Sequence, residues 1–185
     1  MALSNSKTIA RIEDLTGFKI DDPYCKTGEM VGAIVAGINT QLLGNAKITV
    51  NSHAGGTYPI IGIDSTSLAG AIKSNLTGFN LSGRHAQGAA LPEAIAESIA
   101  QALTGSATVT VPTDGVGLFQ IQGVSASLIA SKMQESLISS GFKLSGTHAK
   151  QHPMIEALST AFAEAITNDA RYNVDGVSGG IFIMI

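Results

Sequence analysis

Four histidines, one cysteine and a thin scatter of carboxylates are the side chains of this 185-residue chain best suited to chemistry. The pair that stands out is His85 and His148. Each closes a similar segment: Gly78-Phe79-Asn80-Leu81-Ser82-Gly83-Arg84-His85-Ala86 and Gly141-Phe142-Lys143-Leu144-Ser145-Gly146-Thr147-His148-Ala149 agree at seven of nine positions, 63 residues apart. A neutral imidazole at such a place could bind a ligand or move a proton. Retention in both segments favours a structural use instead, an imidazole hydrogen-bonded to backbone in a Ser-Gly-x-His-Ala turn, because an active site ordinarily needs one copy. His148 and His152 have the four-residue spacing of helical metal ligands. Pro153 sets His152 at a helix start, so the two do not share a helical face, and no Cys or acid cluster completes a shell. No metal and no cofactor are expected.

The remaining motifs read as structure. Gly176-Val177-Ser178-Gly179-Gly180 fits the spacing of a nucleophile elbow, but only five apolar residues follow where acid and histidine partners would be needed. A glycine-rich turn into a last strand explains it. His53-Ala-Gly-Gly56 and Asp114-Gly-Val-Gly117 lack the lysine of a phosphate loop and the spacing of a dinucleotide loop, and read as hairpin turns. Glu93, Glu97, Glu135, Glu156 and Glu164 fall on outer helix faces and serve solubility, with no close carboxylate pair for acid–base work. Cys25 is the one cysteine, which rules out an internal disulfide, and is read as a small half-buried residue.

The elements that would position these groups follow from an internal repeat of about 60 residues. Gly44-Asn45-Ala46-Lys47-Ile48-Thr49-Val50 returns as Gly105-Ser106-Ala107-Thr108-Val109-Thr110-Val111, and Tyr58-Pro-Ile60-Ile-Gly62-Ile63 as Phe119-Gln-Ile121-Gln-Gly123-Val124, both 61 residues on. A two-residue insertion near Ser139 brings the offset to 63. In each unit a β-branched alternating run, Lys47–Val50 or Thr108–Val111, predicts a strand, followed by a turn and a second strand. The stripe Leu68, Ile72, Leu76, or Ile129, Met133, Leu137, predicts a helix, capped at Ser65 or Thr66 and at Ser125 and ended by Gly78 or Gly141. Phe79–Ser82 and Phe142–Ser145 are expected as third strands. Pro92 and Pro153 open a second helix in each unit, with stripes Ile95, Ile99, Leu103 and Leu158, Phe162, Ile166. Ile34, Ile38 and Leu42 mark a further copy of that helix ahead of the repeat.

The fold class is therefore α+β: a tandem duplication of a β-β-α-β-α unit, with mixed sheets packed on helices about a pseudo-twofold axis. The division is an arm over 1–27, a first unit with its preceding helix over 28–104, a second unit over 105–169, and a tail with a terminal strand over 170–185.

Bulk composition narrows the function. Charged residues make up 14% of the chain, against roughly 25% in an average domain, so either Ser, Thr, Asn and Gly dress the surface or partners cover part of it. A net charge of −3 with scattered Lys and Arg, and 5% aromatics, argue against nucleic acid as the main ligand. The N-terminus carries no signal-peptide pattern, and the longest apolar run, Met30–Ile38, is broken by Gly32 and Gly37 and is too short to span a bilayer. A cytoplasmic protein, or a component of a virion assembled there, is expected. The arm carries Phe18 and Ile20, and the tail Phe182, Ile183 and Ile185. These apolar residues need cover from their own chain or from a neighbour, and are the interface candidates. The leading expectation is a non-enzymatic structural subunit, a homo-oligomer with itself and other structural subunits as partners, of the kind found in virus or phage particles. The alternative is a small-molecule or peptide-binding module, or a small enzyme, using His85 and His148 where the repeats meet.

Overall fold

The computed structural model describes residues 3–22, 26–51, 54–79, 90–144, 151–176 and 178–185, with backbone only at 151 and 152. The elements follow one another as α1 (Asn5–Thr16), α2 (Thr27–Asn45), β1 (Lys47–Val50), β2 (Gly56–Pro59), α3 (Ser65–Asn75), α4 (Ala90–Gly105), β3 (Thr108–Val111), β4 (Gly117–Gln122), α5 (Ala126–Ser139), α6 (Gln151–Asp169), β5 (Arg171–Val174) and β6 (Gly180–Ile183). The order is helix–helix–strand–strand, three times over.

The helical stripes are where periodicity puts them. Ile34, Ile38 and Leu42 of α2, Leu68 and Ile72 of α3 with Leu76 at its end, Ile95, Ile99 and Leu103 of α4, Ile129, Met133 and Leu137 of α5, and Leu158, Phe162 and Ile166 of α6 are all buried. A residue every four positions lands on one face of a 3.6-residue helix, which must then find an apolar partner. Each helix packs on its neighbour in the chain, and α6 returns to α1, so the six form a closed ring. Caps differ in detail from expectation. Asp64 rather than Ser65 or Thr66 caps α3, accepting from the Ser67 amide at 2.7 Å, while Ser125 caps α5 as expected. Gly141 takes φ +88° just past α5 and lets the Phe142 amide reach the Leu137 carbonyl, whereas Gly78 adopts no left-handed geometry. Pro92 and Pro153 sit two residues inside their helices, still in the first turn where a missing amide costs nothing.

The strands depart further from expectation. All pairings among the described residues are antiparallel: β2–β3–β4–β5 form one sheet and β1–β6 a second. Isolated bridges join the two sheets, Lys47 with Ile61 and Tyr172 with Met184, so the pairings run from strand to strand in a closed circuit. The β1–β2 ladder stops after that bridge. Thr49 would next face Pro59, which has no amide to donate. The predicted third strands are not seen in the described part of their segments. Phe79 lies in a bend, and residues 142–144 are irregular. Phe79, Phe142 and Leu144 instead pack against the core from the connections α3–α4 and α5–α6. The alternation Phe142-x-Leu144 mimics a strand, but here both residues cover the core from a helix-to-helix connection, and no parallel pairing is seen among the described residues.

The tail is a third hairpin. β5 repeats the alternating burial of β1 and β3, with Tyr172 and Val174 inward as are Ile48 and Val50, Val109 and Val111. The sequence carries this likeness: Ala46, Ala107 and Ala170 are buried just before the strands, and Gly56-x-Tyr58, Gly117-x-Phe119 and Gly180-x-Phe182 follow them. The buried apolar side chains of helices and strands form one continuous core.

The arm folds back on its own chain. Ile12 is fully buried between α1 and its neighbours, and Leu3 and Ile20 are buried too. Arg11 grips Glu164 through Nε and Nη2 at 2.7 and 2.9 Å, Lys7 reaches the buried Asp169 at 3.0 Å, and Leu3 exchanges two hydrogen bonds with Asn39. Glu164 is thus part of a clasp rather than a solubilising charge.

Candidate interaction surface

Strand alternation decides which side chains face out. With Ile48, Val50, Tyr172, Val174, Phe182 and Met184 filling the interior, their neighbours in sequence must point to solvent. The pairings then set the outward residues in rows. Ile183 lies opposite Lys47, which lies opposite Ile61; Ile181 lies opposite Thr49; Ile185 and Arg171 exchange both backbone hydrogen bonds; and Leu118 pairs with Asn173. The result is an apolar face centred on the outside of β6 and reaching across β1 to the end of β2. Its large side chains are open to solvent, Ile181 at 65%, Ile183 at 48%, Ile61 at 45% and Ile185 at 39%, and Leu118, at 62%, is exposed further round the circuit on β4. Two cations lie among them. The Arg171 guanidinium donates through Nη1 to the carbonyls of Thr167 and Ala170, at 3.2 and 2.7 Å, so its charge is already partly satisfied.

Of the five sequence-level interface residues, Ile20 and Phe182 are buried within their own chain, while Phe18, Ile183 and Ile185 are exposed. Ile181, in the same apolar tail run, is exposed too, and so are Leu118 and Ile61, which the sequence does not single out. Register could not be foreseen without strand partners, although the alternation Ile181-Phe182-Ile183-Met184-Ile185 already required one face of the last strand to be bare or covered. His85 and His148, the ligand candidates, lie outside the described residues, as do His53, Cys25 and the side chain of His152.

Two surface depressions line charged residues without concentrating free ones. The first, about 190 Å³, holds Lys7, Arg11, Glu164 and Asp169, which pair with one another. The second, about 410 Å³ between α3 and α4, holds Lys73 and Glu93, joined at 2.6 Å, with Glu97. The Arg11 guanidinium is held above its ordinary pKa by its hydrogen bonds to Glu164, and Glu13 below its own by the amides of Asp21 and Ile20. These are shifts of groups held in surface latches, not of poised catalysts. In the interior, Tyr172 buries its phenol with no hydrogen-bond partner among the described residues, and burial pushes its pKa up. The described residues hold no group of three or more His, Cys, Asp or Glu placed for a metal, and no helix long and apolar enough to cross a membrane. No family model, curated protein or solved structure matches the chain.

Proposed function

We propose that this chain is a non-enzymatic structural subunit that works by self-association, of the kind that builds virus or phage particles. The observation that carries this reading is the exposed apolar face around β6. Contiguous apolar surface of that kind on a monomer marks a binding face or a liability. The low charge content agrees with it, because a chain with 14% charged residues has few ions to spare for open surface. The kinship with particle components rests on composition alone. Its partners are then further copies of itself and other structural subunits, and its place is the cytoplasm or the assembled particle.

The repeat at offsets of 61 and 63 residues supports reading the chain as successive copies of one module. The helix–helix–strand–strand order extends the reading from two copies to three, the last being α5, α6 and the closing hairpin. A module that buries its strands only by pairing with its neighbours suits a part made to be joined to others.

Sedimentation of the purified chain over a hundredfold concentration range tests the function. A mass that is a multiple of the single chain, reached by mass action, is expected. A single-chain mass throughout, with no trend, refutes self-association.

A further inference from the structure

We propose that the outer face of β6 is an isologous interface, seated on the same face of a second copy with Ile183 near the twofold axis. This rests on the self-association reading and names the surface that serves it. The area fits. Ile181, Ile183 and Ile185 on β6, with Ile61 across Lys47, together present on the order of 350–400 Å² of apolar surface, most of the apolar part of a standard protomer face of about 800 Å².

The composition fits a homodimer core as well. The centre of the face is aliphatic, and the uncharged Thr49, Asn173 and Gln120 stand around it, all exposed. Depletion of charge at the centre is what sets interface cores apart from ordinary surface. Neither cation calls for an acidic partner: Arg171 already donates to two carbonyls, and Lys47 can lay its stem along the apolar face with its ammonium at the rim. The contact is not read as strand addition, because one edge of β6 is paired with β1 along its length and the other turns to β5, joined there by Tyr172 with Met184 and Arg171 with Ile185. The contact is made by side chains on the outer face, and a twofold axis lets each copy cover the other's isoleucines.

Salt dependence separates this geometry from others. The dimer holds or tightens as salt rises, because its contacts are apolar and screening weakens only the repulsion between like-charged rims. A head-to-tail contact of the cationic face on the carboxylates of α4 and α5 would loosen instead.

The test is the dimer dissociation constant of the full chain and of the double variant Ile181→Lys/Ile183→Lys, with Ile138→Lys on α5 as a control, since Ile138 is equally exposed but off this face. The double variant should weaken association at least about hundredfold, from four aliphatic side chains lost per dimer. The control should leave it within about twofold. Ile181→Thr/Ile183→Thr keeps the β-branched preference of the strand and serves if the lysine pair unfolds, as judged by circular dichroism. Unchanged association of a folded double variant overturns this interface and leaves self-association standing, with another surface as its seat. Equal loss in Ile138→Lys, or association that weakens with salt, also overturns it. A wild-type chain that stays single overturns both readings.

Discussion

Gly37→Ala offers a test in which local propensity and tertiary packing predict opposite signs. Gly37 lies in the middle of α2, where replacing glycine by alanine in an isolated helix gains about 1 kcal/mol. In the folded chain an added Cβ would lie 2.6 Å from the Ile72 Cα, 2.8 Å from its amide nitrogen and 2.9 Å from the Ala71 carbonyl oxygen. All three are backbone atoms of α3, so no side chain can swing away. Ordinary contact needs 3.4 Å or more, so α2 and α3 must part by about 1 Å along a seam lined by Ile34, Ile38, Leu68 and Ile72. Overpacking of this kind costs about 1–3 kcal/mol, and loosened contacts along the seam add to it. We expect a net loss of about 2 kcal/mol, a fall in Tm of roughly 4–8 °C for a chain of this size. Gly70→Ala on α3 is the matched control. It too is helical, but nothing lies within 4 Å of its would-be Cβ, so propensity should prevail and stability rise by about 0.5–1 kcal/mol. Urea unfolding followed by circular dichroism, with equal m-values, gives both numbers. If Gly37→Ala stabilises as Gly70→Ala does, the close crossing of α2 and α3 is wrong.

Further predictions concern the interior, the caps and the arm. Tyr172→Phe removes a buried hydroxyl that meets no partner among the described residues, and should raise stability by about 1–2 kcal/mol; a lower Tm would mean that the phenol is bonded after all. Ser125→Ala deletes the cap that accepts from the Leu128 amide and should cost about 1 kcal/mol in the same urea assay, with unchanged stability counting against the cap. Glu13 accepts the amides of Asp21 and Ile20 and so titrates below its ordinary 4.5 in the folded chain. A depressed carboxylate contributes stability above about pH 4.5, and that contribution drains away as pH falls through the folded value. Glu13→Gln should therefore lower stability at pH 7 and flatten its decline below pH 4.5, measured by unfolding at several pH values; an unaltered slope would place the latch elsewhere.

Much of the secondary structure was legible because local spacing carries it. Lys47–Val50 and Thr108–Val111 are strands at the very residues where β-branched side chains alternate, and all five helical stripes found their core. Phe142-Lys-Leu144 shows the limit of that reasoning. Two apolar residues at strand spacing need cover, but a connection between packed helices supplies part of it without a sheet. The tail was legible in part, since its alternation demanded cover for one face, while its likeness to the earlier strand pairs lay in a few positions too sparse to stand out.

From the sequence alone came the α+β class, the apolar faces of α2 to α6 and the shortage of charge, since these depend on residue type and on the helical period of 3.6. Tertiary structure alone decided which strand lies beside which. Proline at 59 halts the first hairpin's ladder, β2 turns to β3 and β6 to β1, and the arm docks on α6 through Arg11 and Asp169. Those choices set which isoleucines are buried and which are left facing outward, because pairing register joins residues far apart in the chain and no local pattern encodes it.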